Sequence, residues 1–253
     1  MKTKGEMTGR VALVTGASKG IGAAIAHSLG AAGASVAVGY ARDKEGAART
    51  AARIEEAGGR AQTVQGDLTR TSDIEAMVAQ TVEAFGPIDT LVNNAGVFDY
   101  RALPDITEQH FHDIFNANVL GLLMATRIAV ANFSSEGGSI VNISSLSAKG
   151  DAAGRAVYAA SKAAVNAITQ VLALELAPRK IRVNAIMPGY FDTEGARAFG
   201  ISGSQAEAVL LAATPLASRP GGPNDIGPVG VFLASSASAW MTGEILTVSG
   251  GLR

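Results

Sequence analysis

The chain has 253 residues, is 47% hydrophobic and carries a formal net charge of −1. This length suits one large α/β domain, and the balance of 21 basic and 22 acidic residues gives no electrostatic basis for binding nucleic acid or an anionic membrane. The absence of cysteine excludes disulfides, zinc-thiolate sites and thiol nucleophiles. Because no apolar run approaches the roughly 18 residues that span a bilayer, and the polar N-terminus does not resemble a signal peptide, we expect a cytoplasmic protein.

Short β-branched segments alternate along the chain with longer alanine-rich segments of helical length. This alternation predicts an α/β fold in which helices cover both faces of a parallel sheet. The predicted strands are Val11–Thr15, Ser35–Gly39, Ala61–Gln65, Ile88–Asn93, Ser139–Ile143, Arg182–Ile186 and Ile245–Val248. The predicted helices include Ile21–Ala32, Ser72–Phe85 and Ala156–Ala177. We predict a single domain over residues 1–253.

The stretch 190–223 interrupts this rhythm with a long sequence rich in Gly, Ser and Ala. It follows the carboxyl end of a predicted strand, where open α/β sheets bind ligands. We therefore favour a mobile substrate lid over a plain loop-helix excursion. The histidines do not suggest a metal site, because His110 and His112 stand two apart on a predicted helix and point in different directions.

Glycines are concentrated where the first predicted strand meets the first helix. Residues 15–22 are Thr-Gly-Ala-Ser-Lys-Gly-Ile-Gly. Glycines at this place permit a tight turn and a close approach of the backbone to a diphosphate at the helix N-terminus. The spacing Gly16-x3-Gly20-x-Gly22 differs from the common G-x-G-x-x-G, so a purely structural turn is the alternative.

Tyr158 and Lys162 stand four residues apart in a predicted helix, so their side chains share one face. A phenol is a poor acid at neutral pH, with a reference pKa of about 10. A nearby ammonium favours the ionised phenol and makes it a usable proton donor and acceptor. The pair alone is weak evidence, because Tyr and Lys meet at this spacing by chance in many helices.

Together, in this order and at these spacings, the motifs resemble those of the short-chain dehydrogenase/reductase family over almost the whole chain. Ser145 lies 13 positions before Tyr158, which is the usual separation in that family. The matching positions are Gly16, Gly20 and Gly22 in the turn, Asn93, Asn94, Ala95 and Gly96 after the fourth strand, Asn118, Ser145, Tyr158 and Lys162 in the catalytic set, and Pro188, Gly189 and Thr193 after the sixth strand.

The resemblance implies a Rossmann-type doubly wound sheet of seven parallel strands and a nicotinamide-dependent oxidoreductase. It implies that Tyr158 gives a proton to a substrate carbonyl, that Ser145 holds the carbonyl oxygen, and that Lys162 supports Tyr158 and binds the nicotinamide ribose. Asn118 would hold a water that connects Lys162 to solvent. These roles agree with the general need for a proton donor and an oxygen-holding donor in carbonyl reduction.

Several of these assignments have a plainer alternative. Ser144 and Ser147 are neighbours of Ser145, and only the spacing favours Ser145. Asn118 could brace a helix, and Asn93 and Asn94 could satisfy loop backbone groups. The resemblance also assigns Asp67 and Leu68 to the adenine side and Ile21 to the glycine turn, although an aspartate at position 67 could simply begin a helix.

The cofactor preference is predicted from the end of the second strand, where an NAD site usually places an acid on the adenine-ribose 2′-OH. Tyr40 stands at that place, and Arg42 can pair with a 2′-phosphate. Lys19 is a second cation in the glycine turn, and Ser18 can add a hydrogen bond. We predict NADP(H). In the alternative, Arg42 and Lys19 are solvated surface cations and Asp43 opposes Arg42.

The substrate is predicted only by class. The candidate pocket residues are mostly apolar or small: Phe98, Leu146, Asp151, Ala152, Tyr190 and Phe191. They suit a small free ketone or diketone, while the resemblance extends to 3-oxoacyl-carrier-protein reductases and to alcohol or sugar dehydrogenases of the glucose type. The segment before the fifth strand lacks the basic residues that would dock an acidic carrier protein, although Arg179 and Lys180 offer a second patch.

Two further expectations concern turnover and assembly. A nucleotide sensor on the same fold would not need its catalytic residues, whereas this chain keeps Ser145, Tyr158, Lys162 and Asn118. We therefore expect an enzyme. The resemblance implies a homotetramer in which the helices carrying Asn118 and Tyr158 pair across one interface.

Overall fold

Seven parallel strands form one sheet in the computed structural model, which describes residues 5–150, 152–216 and 218–253. In spatial order the sheet runs β3-β2-β1-β4-β5-β6-β7. The strands are β1 Val11–Val14, β2 Ser35–Tyr40, β3 Arg60–Gln65, β4 Thr90–Asn93, β5 Gly138–Ile143, β6 Ile181–Pro188 and β7 Ile245–Val248. Central strands such as β1 are buried along their whole length, as expected for a parallel sheet with both faces covered.

Nine α-helices accompany the strands in the described ranges. They are α1 Gly20–Ala31, α2 Lys44–Glu56, α3 Thr71–Phe85, α4 Glu108–Phe115, α5 Gly121–Ala131, α6 Ala156–Leu176, α7 Glu194–Ala198, α8 Gln205–Ala212 and α9 Pro223–Ala234. A core cluster on one face of the sheet joins Ile25 of α1, Ile54 of α2 and Leu233 of α9. A second cluster, on the opposite face, includes Val78 of α3 and Ala129 of α5. The doubly wound single domain predicted from the sequence is confirmed.

The topology creates a crevice between β1 and β4, because the chain builds the sheet outward in one direction from β1 to β3 and then in the other from β4 to β7. Helices that follow β1 and β4 therefore lie on opposite faces, and the loops at the carboxyl ends of these strands diverge. The backbone N–H of Thr15 donates to the Val92 carbonyl at 3.0 Å and keeps the two strand ends together at this point. Ligands of open α/β sheets bind in such a crevice.

The predicted strands lie within two residues of the observed ones at every end. The largest differences are at β6, which ends at Pro188 rather than at the predicted Ile186, and at β4, which begins at Thr90 rather than at the predicted Ile88. Ile88 makes only an isolated bridge to Phe133, because its backbone N–H and carbonyl bond to the segment that follows α5 instead of a strand. Gly33 and Gly58 follow the C-caps of α1 and α2 with φ of 104° and 85°, as glycines that end helices do.

The 190–223 segment leaves the carboxyl end of β6 and carries the short helices α7 and α8. Its two ends are joined by a bridge between Phe191 and Gly221, where the Gly221 N–H donates to the Tyr190 carbonyl at 2.9 Å. Within it, the Tyr190 hydroxyl donates to Glu207 at 2.6 Å. Both loop and helix contribute to this segment, and its movement as a lid stays a prediction.

Two helical stretches, Glu108–Ala131 and Ala156–Arg179, are long and apolar enough by composition to cross a bilayer. Core helices of water-soluble domains pass the same test. Here Val130 and Ala173, one from each stretch, pack into the core cluster that covers one face of the sheet. Packing against the sheet therefore accounts for part of the apolar composition of these helices, while other apolar side chains on them, such as Val171 and Leu174, stay exposed.

Candidate active site

A cleft of about 1130 Å³ runs along the carboxyl edge of the sheet and joins nearly all of the predicted site residues. Of the predicted site residues, the ones that line it are Gly16, Ser18, Lys19, Gly20, Ile21, Tyr40, Arg42, Asp67, Leu68, Asn94, Ala95, Gly96, Ser145, Tyr158, Lys162, Pro188, Gly189 and Thr193. Gly22 and Asn118 are not lining residues, but they pack against Asn94 and Gly96, which are. Residues that are up to 177 positions apart in the sequence thus converge on one continuous surface.

The glycine turn after β1 adopts a backbone that only glycine accepts easily. Gly16 and Gly20 have φ of 61° and 59°, in the left-handed region. A Cβ on Gly22 would overlap the Asn94 amide and the Gly16 carbonyl. The Asn94 Nδ2 donates to the Thr15 and Gly16 carbonyls at 3.0 and 2.9 Å, so the turn is tied to the end of β4. The first turn of α1 is thereby held open to the cleft.

At the far end of the cleft, where β2 and β3 end, Arg42 supplies a positive charge. Tyr40 occupies the position at which an NAD site usually carries an acid. Tyr40 is the last residue of β2 and is buried. The Asp43 carboxylate accepts the Gly46 N–H at 2.8 Å and thereby caps α2. Hydrogen bonds from the Thr69 backbone and hydroxyl hold the pKa of Asp67 below its usual value. Asp43 is thus engaged in its own helix, which weakens the alternative that it opposes the Arg42 guanidinium.

Tyr158 and Lys162 lie one turn apart on α6, near the middle of the cleft. The Lys162 Nζ is 6.0 Å from the centre of the Tyr158 ring and donates to the Ile143 carbonyl at 2.9 Å. Burial lowers the pKa of Lys162 from 10.5 to about 8. A cation is costly to bury without a carboxylate partner, and this cost is the physical cause of the shift.

The three neighbouring serines have different environments. The Ser144 hydroxyl is buried and donates to the Lys162 backbone carbonyl at 3.2 Å. The Ser147 hydroxyl accepts a bond from the Arg155 guanidinium at 3.1 Å. The Ser145 side chain is half-buried, lines the cleft and accepts the Ser147 N–H at 3.2 Å. Ser145 is therefore the serine best placed to offer its hydroxyl to a ligand.

Asn118 lies in a π-helical turn, Asn116–Leu120, between α4 and α5. Its amide is fully engaged with protein: it accepts the Val97 N–H at 2.8 Å and donates to the Val97 carbonyl and the Ser161 hydroxyl at 2.9 and 3.1 Å. A Cβ on Gly96 would lie 2.9 Å from its Oδ1. These bonds connect Asn118 to the loop after β4 and to α6, so they support the alternative that this side chain has a bracing role. The water-holding role stays a prediction.

The turn after β6 forms another part of the cleft lining, with Pro188, Gly189 and Thr193. The Gly189 N–H donates to the Val248 carbonyl at 2.9 Å, and a Cβ on Gly189 would overlap Ser249. The Thr193 hydroxyl accepts the Ala196 N–H at 3.1 Å and caps α7. Pro188, the last residue of β6, positions this turn.

Two aromatic residues beside the site, Tyr100 and Phe199, and the neighbouring Arg155 were not predicted from the sequence. Tyr100 lies 5.6 Å from the Tyr158 ring, and Phe199 lies 5.0 Å from the Tyr100 ring. Phe199 comes from the 190–223 segment, so no local spacing in the sequence could have revealed this contact. Of the predicted pocket residues, Phe98, Leu146, Tyr190 and Phe191 line the cleft, Ala152 is exposed outside it, and Asp151 lies outside the described residues.

No group of three or more His, Asp or Glu side chains is placed to hold a metal ion within residues 5–150, 152–216 and 218–253. His110 is buried and bonds through Nε2 to the Asp99 carbonyl at 3.1 Å, whereas the His112 side chain is about half-exposed. The two rings therefore face different surroundings.

Comparison with known proteins agrees with this geometry. A family model described as enoyl-(acyl carrier protein) reductase matches residues 16–253. The chain is 50% identical to an uncharacterised oxidoreductase of Methylorubrum extorquens, over 98% of this chain and 99% of that protein. It is 36% identical to a versicolorin reductase of Emericella nidulans, over 97% and 96% of the two chains.

A solved structure extends the comparison to three dimensions. The crystal structure of a short chain dehydrogenase from Burkholderia cenocepacia in complex with NADP superposes with a TM-score of 0.89 at 37% identity, over 98% of this chain and 99% of that chain. Sequence, fold and the convergence of the motif residues on one cleft agree, and the chain belongs to the short-chain dehydrogenase/reductase family.

Proposed function

We propose that this protein is an NADP(H)-dependent reductase of free ketones that yields secondary alcohols. The observation that carries the proposal is the convergence of Ser145, Tyr158 and Lys162 on the cleft that also contains the glycine turn of α1. A half-buried hydroxyl, a phenol and a buried ammonium form the set that carbonyl reduction requires.

The cleft fits a dinucleotide at both of its ends. The glycine turn leaves the N-terminus of α1 without a capping side chain from its own N-cap residue, Lys19, and without an acid in its first turn. Backbone N–H groups at a helix N-terminus suit a diphosphate. At the end of the cleft near Lys162, Gly96 has no side chain, and a Cβ there would crowd Asn118 and Lys162. The glycine thus keeps this end of the cleft open. Gly16, Gly20, Ile21, Pro188, Gly189 and Thr193 would hold the central part of the cofactor.

The preference for NADP(H) is proposed from charge at the end of β2. Tyr40 offers no carboxylate to a ribose 2′-OH, and Asp43 is committed to capping α2. Arg42 and Lys19 line the cleft and would face a 2′-phosphate. The NADP complex of the Burkholderia cenocepacia relative supports this choice.

The positions of the catalytic side chains in the cleft support the roles proposed for them. When bound, the cofactor supplies the hydride that the carbonyl carbon receives. Tyr158 donates its hydroxyl proton to the carbonyl oxygen as negative charge develops there, and Ser145 donates a hydrogen bond to the same oxygen. Lys162 stabilises the ionised Tyr158 that results, and its ammonium is available to the nicotinamide ribose. Asn118 holds the loop after β4 against α6.

Two other substrates belong to the same chemistry. A 3-oxoacyl-carrier-protein substrate would need a basic docking surface, but the residues after α5, at 132–136, are Asn-Phe-Ser-Ser-Glu. Arg179, from the possible second patch, donates to the Val130 carbonyl at 2.9 Å, which commits part of its guanidinium to the protein. An alcohol or sugar dehydrogenase would use the same catalytic residues in the oxidative direction. The relative named versicolorin reductase supports a free carbonyl compound.

The test is NADPH consumption at 340 nm with an acetoacetyl thioester beside a panel of free ketones, diketones and, in reverse, sugars. We expect turnover of free ketones, with Tyr158→Phe binding NADPH normally and losing at least about 100-fold in kcat, as removal of a proton donor typically does. Preference for the thioester would favour the carrier-protein substrate. A Tyr158→Phe variant that kept kcat within a few-fold would refute the assigned acid.

We also propose a homotetramer in the cytoplasm. Apolar side chains on the outer side of the α5 and α6 region support association: Leu120, Val171 and Leu174 are exposed by 49%, 52% and 78%. Exposed apolar side chains that cluster on long helices are typical of subunit interfaces. Sedimentation of the purified protein tests this, and a monomer at micromolar concentration would contradict it.

A further inference from the structure

Two aromatic rings pack on the ring of the proposed acid, Tyr158, and a third ring packs on both of them. Tyr100 and Phe98 lie 5.6 and 6.3 Å from it, both in edge-to-face geometry. Phe199 lies 5.4 and 5.0 Å from Phe98 and Tyr100, again edge to face. The loop after β4 therefore supplies two rings that line the cleft beside Tyr158, and Phe199 of the 190–223 segment packs on these two rings from behind.

Aromatic residues are concentrated in the lining of the cleft. Only 5% of the residues are aromatic, yet all four tyrosines of the chain, Tyr40, Tyr100, Tyr158 and Tyr190, line it. The Arg155 guanidinium lies over the Tyr100 ring at 4.9 Å and also donates to the Ser147 hydroxyl, which fixes this ring on the side of α6. Polar neighbours are already engaged, because Asp99 pairs with Arg101 at 2.8 Å.

We propose that the substrate of this site is a ketone that carries a planar aromatic ring joined to its carbonyl carbon directly or through one methylene. The inference rests on the proposed function and adds the substrate class. Aromatic pairs in edge-to-face or offset geometry gain attraction beyond the burial of apolar area, because the positive edge of one ring meets the negative face of another. A saturated ring of similar size fills nearly the same space, but it has neither the negative face nor the positive edge of an aromatic ring.

The test compares phenylacetone with cyclohexylacetone, in which the ring is separated from the carbonyl by one methylene, so that the intrinsic reactivity of the two carbonyls is similar. Burial of apolar area alone favours the cyclohexyl compound, which is the more hydrophobic. We expect kcat/KM to be about tenfold higher for phenylacetone, the effect of two aromatic contacts. A preference below threefold, or a preference for the saturated ketone, overturns the substrate class.

Two matched variants locate the effect. Phe199→Leu should reduce the preference for the aromatic ketone at least threefold, whereas Phe111→Leu should leave it unchanged. Phe199 and Phe111 are 43% and 42% exposed, and Phe111 stacks on Phe115 outside the cleft. Equal effects of both variants would overturn the assignment of Phe199.

The panel of ketones separates failure of the substrate class from failure of the proposed function. If other ketones of the panel are reduced but neither phenylacetone nor cyclohexylacetone is, only the substrate class is overturned. If no carbonyl compound is reduced, the proposed function itself fails.

A second observation concerns the N-terminus of α1. The Gly20 N–H donates to the Glu194 carboxylate at 3.0 Å, across 174 positions of sequence. The side of Gly20 that a Cβ would occupy faces the Thr193 methyl at 3.4 Å. Because Lys19 supplies no side-chain cap, the cap of α1 comes from the 190–223 segment instead. The carboxylate lies at the helix end where the proposed function places an anionic diphosphate.

We infer that Glu194 tethers the 190–223 segment to α1 before the cofactor binds and that NADP(H) binding must displace its carboxylate. This inference also rests on the proposed function. Two anions compete for one helix N-terminus, so the tether opposes cofactor binding. Glu194 is then a positioning residue: it holds the 190–223 segment against α1 and thereby lowers the affinity for the cofactor.

The test measures the dissociation constant of NADPH by fluorescence and backbone hydrogen exchange of residues 194–200 without cofactor. Glu194→Gln should bind NADPH about threefold more tightly at low salt, with a smaller gain at high salt. Glu194→Ala should exchange faster in 194–200. Glu108→Gln, whose side chain is 90% exposed on α4, is the control and should change neither. Equal or weaker NADPH binding by Glu194→Gln overturns the tether, whereas failure of all variants and of the parent to bind NADPH overturns the proposed cofactor.

Discussion

Replacing Lys162 by Met should make the protein more stable while abolishing turnover. Lys162 is 6% exposed, and burial lowers its pKa from 10.5 to about 8. At neutral pH the folded protein therefore holds a charge that its surroundings disfavour. The difference between 10.5 and about 8 corresponds to a cost of about 3 kcal/mol at pH 7. Methionine has a similar length and no charge, so it removes this cost.

The gain is offset by the hydrogen bond that Lys162 Nζ donates to the Ile143 carbonyl at 2.9 Å. Losing a buried hydrogen bond costs about 1–2 kcal/mol. The expected net stabilisation is about 1–2 kcal/mol, which corresponds to a rise in Tm of roughly 3–6 °C for a domain of this size. Lys149→Met, at an exposed lysine shortly before α6, is the control and should stay within about 0.5 kcal/mol of the parent.

The pH dependence of the free energy of unfolding tests the reasoning more sharply than its value at pH 7 alone. Below pH 8 the folded and unfolded states both keep the Lys162 proton, and the folded state bears the full cost. Between pH 8 and 10.5 the folded state releases the proton first, so the parent gains stability as pH rises. By pH 9.5 the parent should have regained about 2 kcal/mol relative to Lys162→Met. Urea unfolding of both proteins from pH 7 to 9.5 measures this gap, and a gap that does not change with pH would refute the reasoning.

Three further changes test other parts of the cleft. Arg42→Ala should weaken NADPH binding by about tenfold and NADH binding by less than twofold, as loss of one phosphate contact does; equal losses in titrations with both cofactors would contradict the 2′-phosphate assignment. Gly22→Ala should destabilise the fold by about 2 kcal/mol or more, because a Cβ would overlap Asn94 and Gly16, and an unchanged urea midpoint would contradict it. Asn118→Ala should raise KM more than it lowers kcat, because the amide braces Val97, and a larger effect on kcat in steady-state kinetics would contradict the brace role.

The sheet was predictable because each central strand is a short β-branched segment followed by a glycine or a polar turn. β7, at Ile245–Val248, matches the prediction residue for residue. Where prediction and structure differ, as at Ile88, the backbone pairs with the end of α5, and such a partner depends on tertiary structure. The cofactor turn was equally visible, because its glycines stand together in sequence.

The substrate side of the cleft was less predictable, since its parts lie far apart in the chain. Tyr100 and Phe199 are brought together only when the 190–223 segment folds back over the loop after β4. The π-helical turn at Asn116–Leu120 also has no local signature, because its extra residue is accommodated through the bonds of Asn118 to Val97 and Ser161. Contacts of this kind follow from topology rather than from periodicity.

The Asn94-Ala95-Gly96 motif shows how one short segment joins the two halves of the site. Asn94 bonds to the carbonyls of the glycine turn, and Gly96 lies where a Cβ would come within 2.9 Å of Asn118 Oδ1 and 3.4 Å of Lys162 Nζ. The first residue therefore sets the cofactor turn, and the third leaves room for the buried ammonium. A larger residue at position 96 would push on Lys162, whose burial already costs stability. The destabilised lysine and the restricted glycine thus belong to one arrangement, in which stability is lost so that a cation lies beside Tyr158.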